Sequence, residues 1–315
     1  MLKITPEEKT ALKGRGFILT SDGEHFIARI VPDSAFIQTK GLQAIVDAAN
    51  QYGSGEIALT SRMTLEVQGI PYENIEPFNA AIEAAGYVTG GTGGKVRPVV
   101  CCKGTVCVHG LVDTRKLSQE IHEKFYIGWH EVRLPHKFKI GIGGCPNNCI
   151  KPQLNDFGIF GQKVPKYDPD DCNGCKKCSV IDVCPMNACS IDDDGIMQID
   201  KSLCNNCGKC TSACNFDCIE VEKEGYAVTL GGIWGKTQRI GTRVPGVFTH
   251  DELLSIIEKC ILLYREQGKT GERFGRSVDR IGVENFIQQL LSDDVLDRKQ
   301  EILDAQLHLT GGAKC

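Results

Sequence analysis

The chain has 315 residues, 41% of them hydrophobic and 24% charged, with 36 Lys and Arg against 40 Asp and Glu. This is a globular composition with length for about two domains, and a net charge of −4 argues against general nucleic-acid binding. No apolar run approaches the roughly 20 residues of a bilayer span, and the acidic turn at Glu7-Glu8 argues against a secretory or transit signal, so a cytoplasmic location is expected.

Thr5-Pro6-Glu7-Glu8 predicts a helix start, with Thr5 as N-cap and Pro6 at the first helical position. Residues 17–30 read as two short strands turning at Asp22-Gly23. A helix is expected over 39–52, where Leu42, Ile45, Val46 and Ala49 recur at helical spacing. Strands near 56–60 and 64–68 flank Ser61-Arg62, and a helix follows over about 73–85. Gly90-Gly91-Thr92-Gly93-Gly94 predicts a hinge or a loop that lets a ligand approach the backbone closely. Residues 95–163 hold eleven Lys and Arg against five Asp and Glu, a net +6, so positive charge is segregated there with four of the seven histidines. Such segregation points to an anionic ligand. After a cysteine-rich stretch, Tyr226-Ala-Val-Thr-Leu resumes strand-like sequence, and two helices are expected to close the chain. The first opens with a capping box at Thr249-His250-Asp251-Glu252, and the second covers about 282–291.

Seventeen cysteines are the outlier, and twelve of them fall into short-interval clusters. Without an export signal, disulfides are not expected, and the spacing is that of thiolates gathered round metal. Cys172, Cys175 and Cys178 are followed by Cys184-Pro185, and Cys204, Cys207 and Cys210 by Cys214. Two such runs in about 45 residues are the signature of a two-cluster bacterial ferredoxin, in which the fourth cysteine of each run ligates the other run's cluster. Cys172, Cys175, Cys178 and Cys214 are therefore expected on one 4Fe–4S cluster, and Cys204, Cys207, Cys210 and Cys184 on the second. Five residues, not three, precede Cys184, and Asn215 stands where proline is usual; the longer spacer is expected to bulge outward. A zinc site would need only four thiolates. A third constellation lies in the basic unit, where Cys101-Cys102-Lys-Gly-Thr-Val-Cys107 precedes Cys145-Pro-Asn-Asn-Cys149.

In these last cysteines the chain resembles the sulfite and nitrite reductase family. Leu59-Thr60-Ser61-Arg62, Val96-Arg97-Pro98-Val99, Leu134-Pro135-His136-Lys137-Phe138-Lys139 and Gly143-Gly144-Cys145-Pro146 resemble its motifs, with Gly231-Gly232 beyond them. The match covers most of residues 55–245, and the inserted ferredoxin resembles that of the small anaerobic sulfite reductases. The resemblance implies an α+β sirohaem-binding fold, divided into a half domain over 1–90, a sirohaem and 4Fe–4S domain over 91–165 and 222–315, and a two-cluster ferredoxin over 166–221. It implies sirohaem and three 4Fe–4S clusters. Cys102 or Cys101, with Cys107, Cys145 and Cys149, would hold the third cluster, and Cys149 would also be the axial ligand of the haem iron. Arg62, Arg97, Lys137 and Lys139 would line the anion pocket.

The implied activity is six-electron reduction of sulfite to sulfide. Nitrite reduction on the same scaffold and a non-catalytic electron-transfer subunit are the alternatives. Lys139 favours sulfite, since the family's nitrite enzymes resemble Lys-Trp-Asn there. Lys137 and Lys139 alternate along an expected strand and so share one face, opposite Phe138. No nicotinamide or flavin motif is visible, so flavin and iron–sulfur subunits or a ferredoxin are the expected donors. Larger members contain two copies of the α/β unit, which makes a homo- or hetero-oligomer the expectation for one. Cys189, Cys218 and Cys260 are expected to be packing residues, Cys315 an exposed tail thiol, and His109 and His136 structural.

Overall fold

In the computed structural model, which describes residues 3–307, three residues are enough to begin the first helix. The Glu8 amide donates to Thr5 Oγ1 at 3.1 Å, the Thr5 amide donates back to Glu8 Oε2 at 2.8 Å, and Pro6 opens α1 (Pro6–Gly14). Then β1 (Phe17–Leu19) and β2 (His25–Val31) pair antiparallel, and Asp22 in their turn accepts the amides of Glu24 and His25. Two helices, α2 (Thr39–Tyr52) and α3 (Ile75–Ala84), flank β3 (Ile57–Leu59) and β4 (Leu65–Pro71), and β5 (Val88–Thr89) returns to β2. The strand order is β1-β2-β4-β3, with β5 also on β2. Ile45, Ala49, Phe78 and Ile82 from the helices pack on Phe17, Phe26, Ile30 and Val67 from the strands.

The glycine run after β5 joins backbone to backbone. A Cβ on Gly16 would lie 2.3 Å from the Gly90 nitrogen, and one on Gly90 2.6 Å from the Tyr126 hydroxyl. Gly91 donates its amide to Tyr126 Oη at 2.9 Å, while its carbonyl accepts from Arg29 and Arg97. The close approach expected of this loop is thus to the chain's own segments.

The second sheet has the order β12-β11-β8-β7-β6. In it β6 (Val100–Cys101), β7 (Ile140–Gly143) and the start of β8 (Phe157–Tyr167) run parallel, while β11 (Ile219–Leu230) lies antiparallel to β8 and β12 (Thr242–Arg243) forms the edge. Between β6 and β7, α4 (Thr114–Ile121) passes into a π-helical turn, His122–Ile127. The β8–β11 ladder extends from Phe157 opposite Leu230 to Tyr167 opposite Ile219, so residues 168–218 hang from the end of one long hairpin. They contain α5 (Ser179–Val183) and the pair β9 (Cys189–Ile191) and β10 (Met197–Ile199). The five-residue spacer before Cys184 does not bulge out: it is α5, and it buries Val180 in the insert's own core. Strand structure resumes at Ile219, earlier than Tyr226.

Behind the second sheet, α6 (His250–Gln267) opens on the expected capping box at Thr249 and Glu252 and buries Ile256, Ile257, Cys260, Ile261 and Tyr264. Four further helices follow where one was expected: α7 (Phe274–Ile281), α8 (Val283–Leu291), α9 (Asp294–Asp297) and α10 (Lys299–Asp304). Phe274, Val278, Phe286, Leu290, Val295 and Ile302 seat them on α6. No described helix is long and apolar enough to cross a membrane. Cys315 lies outside the described residues.

Candidate thiol clusters and anion site

In the insert, the chain's local turns gather thiols into two cavities. Cys172, Cys175, Cys178 and Cys214 line one together with Cys218, and Cys184, Cys204, Cys207 and Cys210 line the other together with Cys189. The fourth cysteine of each run thus stands with the other run's first three. Among the described residues, no three His, Cys, Asp or Glu side chains converge on a single-ion site; a 4Fe–4S cluster instead takes one thiolate per iron, which requires a wider set. Cys189 and Cys218 pack in the insert's apolar core as expected. Each also touches a fourth cysteine: Cys218 Sγ lies 3.2 Å from Cys214 Sγ, and the Cys189 side chain hydrogen-bonds Cys184. The second run is docked on the body of the protein. The Lys163 amide donates to the Asn206 carbonyl at 2.9 Å, and Asn206 Nδ2 donates to Gln162 Oε1 at 3.2 Å.

In the carrying unit, the thiols come from two loops that follow the C-terminal ends of parallel strands β6 and β7. The loops cross at glycines: a Cβ on Gly144 would lie 2.8 Å from Gly104 Cα, and one on Gly104 2.9 Å from Gly144 Cα. That contact brings Cys102 and Cys107 beside Cys145 and Cys149. Burial first, and then neighbouring Cys102, Cys149 and Cys107, push the Cys145 thiol up. Cys102 Sγ accepts the Gly144 amide at 3.1 Å, and Thr114 Oγ1 donates to the Cys102 carbonyl at 2.7 Å. Cys101, one residue earlier and so on the opposite side of its strand, is fully buried in the hydrophobic core and accepts the Ala35 amide at 3.3 Å. Asn148 and Lys151 take left-handed backbone conformations, φ 58° and 51°, which shape the loop carrying the exposed Cys149.

The cations gather at the other end of the same strands. Phe138 is fully buried and bridges to Val96, placing half-buried Lys137 and Lys139 on the opposite side, just before β7 begins at Ile140. Arg97 donates its amide to the Phe138 carbonyl at 2.8 Å. Arg62 reaches in from the first unit and donates to Asn155 Oδ1 at 3.0 Å and to the Pro98 carbonyl at 2.6 Å; its Nε is buried with no hydrogen-bond partner. At the centre lies fully buried Asp156, which accepts the Lys139 amide at 2.9 Å and Arg273 Nη2 on both oxygens at 3.1 and 3.3 Å.

One carboxylate among five cations leaves the cluster strongly positive. Burial, then Arg62 and Arg273, brings Lys139 down to about 8. Burial likewise lowers Arg62 to about 10, with Arg97, Arg273 and Arg29 adding to it against Asp156. Burial, then Lys137, Arg273 and Arg97, holds His136 down at about 4, so it is neutral at pH 7, and its Nδ1 accepts the Lys137 amide at 2.7 Å. Desolvated cations in excess of acids are a preorganised anion site.

The structure therefore brings Arg62, Arg97, Lys137 and Lys139 together, and separately Cys102, Cys107, Cys145 and Cys149, but not as one pocket. From Lys139 to Gly144 is about 17 Å of extended backbone, and the nearest electrostatic neighbours of Lys139 and of Cys145 are members of their own groups. Sequence reasoning missed Arg273 and Asp156. Arg273 lies outside every motif, 117 residues from its partner, and only an acid amid apolar strand sequence hinted at Asp156.

The chain also resembles known proteins in sequence and in fold. Residues 92–298 match the family described as "Nitrite and sulphite reductase 4Fe-4S domain", and residues 18–85 its "Nitrite/Sulfite reductase ferredoxin-like half domain". The chain is 32% identical over 273 residues to the coenzyme F420-dependent sulfite reductase of Methanocaldococcus jannaschii, covering 86% of this chain and 43% of that protein. It is 32% identical over 175 residues to one subunit of the anaerobic sulfite reductase of Salmonella typhimurium, covering 50% of this chain and 49% of that one. The chain thus spans less than half the length of these two relatives. Among solved structures, dissimilatory sulfite reductase I superposes with a TM-score of 0.67 at 20% identity, over 84% of this chain and 68% of that one. The NirA protein of Mycobacterium tuberculosis gives 0.64 at 13% identity, over 97% and 48%. With both family profiles matched in order across its length, the chain belongs to the nitrite and sulphite reductase family and has its α+β fold.

Proposed function

We propose that this protein is a sulfite reductase, an oxidoreductase that carries sulfite through six electrons to sulfide. The observation that carries the reading is the cation group around Asp156, present in one chain with three gathered sets of thiols. The residues fit the cofactors. Buried Arg62 Nε and Arg273 Nε have no hydrogen-bond partner, as does Asn148 Oδ1 beside Cys149 in sequence, and the surplus positive charge suits both an anionic substrate and a carboxylate-rich tetrapyrrole. Cys102, Cys107, Cys145 and Cys149 would hold one 4Fe–4S cluster, and Cys149 would also help to hold sirohaem. The insert's two thiol sets take the other two clusters. When bound, these groups supply the electrons and the iron that takes the anion's sulfur.

The chain's own part is to hold the oxygens and deliver protons. Arg97 and Arg273 are planar donors suited to an oxyanion, and Lys137 and Lys139 are mobile point charges. A lysine near 8 is protonated at neutrality yet releases its proton readily, which fits Lys139 as the acid that accompanies loss of oxygen as water. Arg62, tied to the Pro98 carbonyl, frames the pocket.

Because cations and thiols occupy opposite ends of β6 and β7, we read the working site as shared: the cations of one copy face the thiols of a second subunit of the same fold. The thiol set of Cys184, Cys204, Cys207 and Cys210 is the one that faces the carrying unit, since Asn206 docks on Gln162 and a Cβ on neighbouring Gly161 would lie 2.4 Å from the Gly144 carbonyl. Flavin and iron–sulfur subunits or a ferredoxin would be the electron donors, and the protein would work in the cytoplasm.

The test is an anaerobic assay with reduced methyl viologen on sulfite and on nitrite, for the wild type and Lys139→Asn. Sulfite turnover should exceed nitrite turnover, and the substitution should lower sulfite turnover more. Equal losses on both anions would contradict the pocket assignment, and nitrite preference in the wild type would favour the nitrite reductase.

A further inference from the structure

Each run of the insert carries a fifth cysteine: Cys189 follows Cys184 by five residues, and Cys218 follows Cys214 by four. Both are buried, at 8% and 4% exposure, in one small apolar cluster with Val180, Met197 and Ile219. Their neighbours are not arbitrary. Cys218 Sγ stands 3.2 Å from Cys214 Sγ, and Cys189 makes the equivalent side-chain hydrogen bond to Cys184. In both runs the contact falls on the fourth cysteine, the one whose cavity holds the other run's thiols. The same two sulfurs also accept backbone amides, Cys184 from Ala188 at 3.3 Å and Cys214 from Phe216 at 3.4 Å.

A thiolate that ligates a cluster has no proton to give, so a hydrogen bond between it and the fifth cysteine runs from the fifth cysteine's S–H. Hydrogen bonds to cluster sulfurs tune the reduction potential. Reduction adds negative charge to the cluster, and a donor stabilises that more negative state, which raises the potential. We infer that Cys189 and Cys218 are paired S–H donors that set the potentials of the insert's two clusters through their crossing ligands. This rests on the ligand assignment proposed above. Neither residue touches substrate; both are positioning residues that act through Cys184 and Cys214.

The experiment is an EPR-monitored redox titration of the full chain, purified anaerobically, as wild type, Cys218→Ala, Cys189→Ala and the two corresponding serine variants, with iron measured on each. Cys218→Ala should make the cluster of Cys172, Cys175, Cys178 and Cys214 about tenfold harder to reduce, a downward shift of about 59 mV for one electron, and leave the other cluster unmoved. Cys189→Ala should do the converse. Serine, which keeps an O–H donor, should shift each less than alanine. Full iron with unmoved potentials would overturn the inference. Loss of a cluster's iron in both the alanine and serine variants would overturn it too, in favour of the fifth cysteine as a ligand. A wild type without two ferredoxin-type signals would instead overturn the ligand assignment, which keeps the two failures distinct.

Discussion

The insert and the unit that carries it gather their cysteines by different means. Within residues 168–218, tight spacing and single helical turns bring ten thiols into two cavities, and the outside contacts are the neck where Tyr167 pairs with Ile219 and the docking of Asn206 on Gln162 and Lys163. In the carrying unit, four thiols come from two loops about 40 residues apart that meet only because Gly104 and Gly144 touch backbone to backbone. The cation group stands a strand's length away. A thiol set made by local sequence is complete within one chain. One made by the sheet depends on exact packing, and in the proposed shared site its matching charge would come from another subunit.

That contrast can be broken most severely at Gly144. A Cβ there would meet Gly104 Cα at 2.8 Å and Cys102 Sγ at 3.4 Å, and backbone at that distance has to move. Gly144→Ala should lose the carrying unit's cluster and its tetrapyrrole while the insert keeps its own, leaving about two thirds of the iron that three 4Fe–4S clusters hold. Iron analysis with an absorption spectrum checks this, and an even loss from both regions would erase the distinction between them.

A smaller effect is expected at Arg273, the long-range partner on which the cation end depends. Arg273→Ala leaves fully buried Asp156 without its ion pair, and removal of one partner of a buried pair destabilises by about 3 kcal/mol. Denaturant unfolding should show that loss in the carrying unit while the insert's cluster absorption bleaches at its usual midpoint.

The mildest change is in pH. Burial, Arg62 and Arg273 lower Lys139 to about 8, so its cation is present below that pH and lost above it. Sulfite turnover should therefore fall as pH rises through about 8. Lys139→Arg, which keeps the charge but holds its proton, should lower sulfite turnover at every pH and remove the fall near 8; wild-type turnover in this variant would remove Lys139 from proton delivery.

What could be read in the sequence follows the same division. The capping boxes at Thr5 and Thr249, the Asp22-Gly23 turn and the helix over 39–52 depend on neighbours within a few residues, and the structure forms all of them. The cysteine runs are equally local in pattern, and their crossed grouping into cavities follows from it. Three features had no local signal. The spacer before Cys184 became α5 because Val180 found an apolar core to enter. The terminal helices α7, α9 and α10 are short and depend on α6 for burial of Phe274, Val278, Val295 and Ile302. The Asp156–Arg273 pair joins β8 to the start of α7 across 117 residues, which no motif encodes. Between Cys101 and Cys102, spacing alone left a choice; strand alternation buries the first in the core and turns the second toward Gly144.

The central claim is that one chain supplies both a self-contained ferredoxin and the ligands of a tetrapyrrole-bearing centre. Its most direct test is to purify the protein anaerobically from cells that make sirohaem and record its absorption before and after extraction into acidic acetone. The account predicts a sirohaem spectrum in the extract, with iron–sulfur absorption in the protein. Iron–sulfur absorption with no extractable tetrapyrrole would contradict it and leave an electron-transfer subunit in its place.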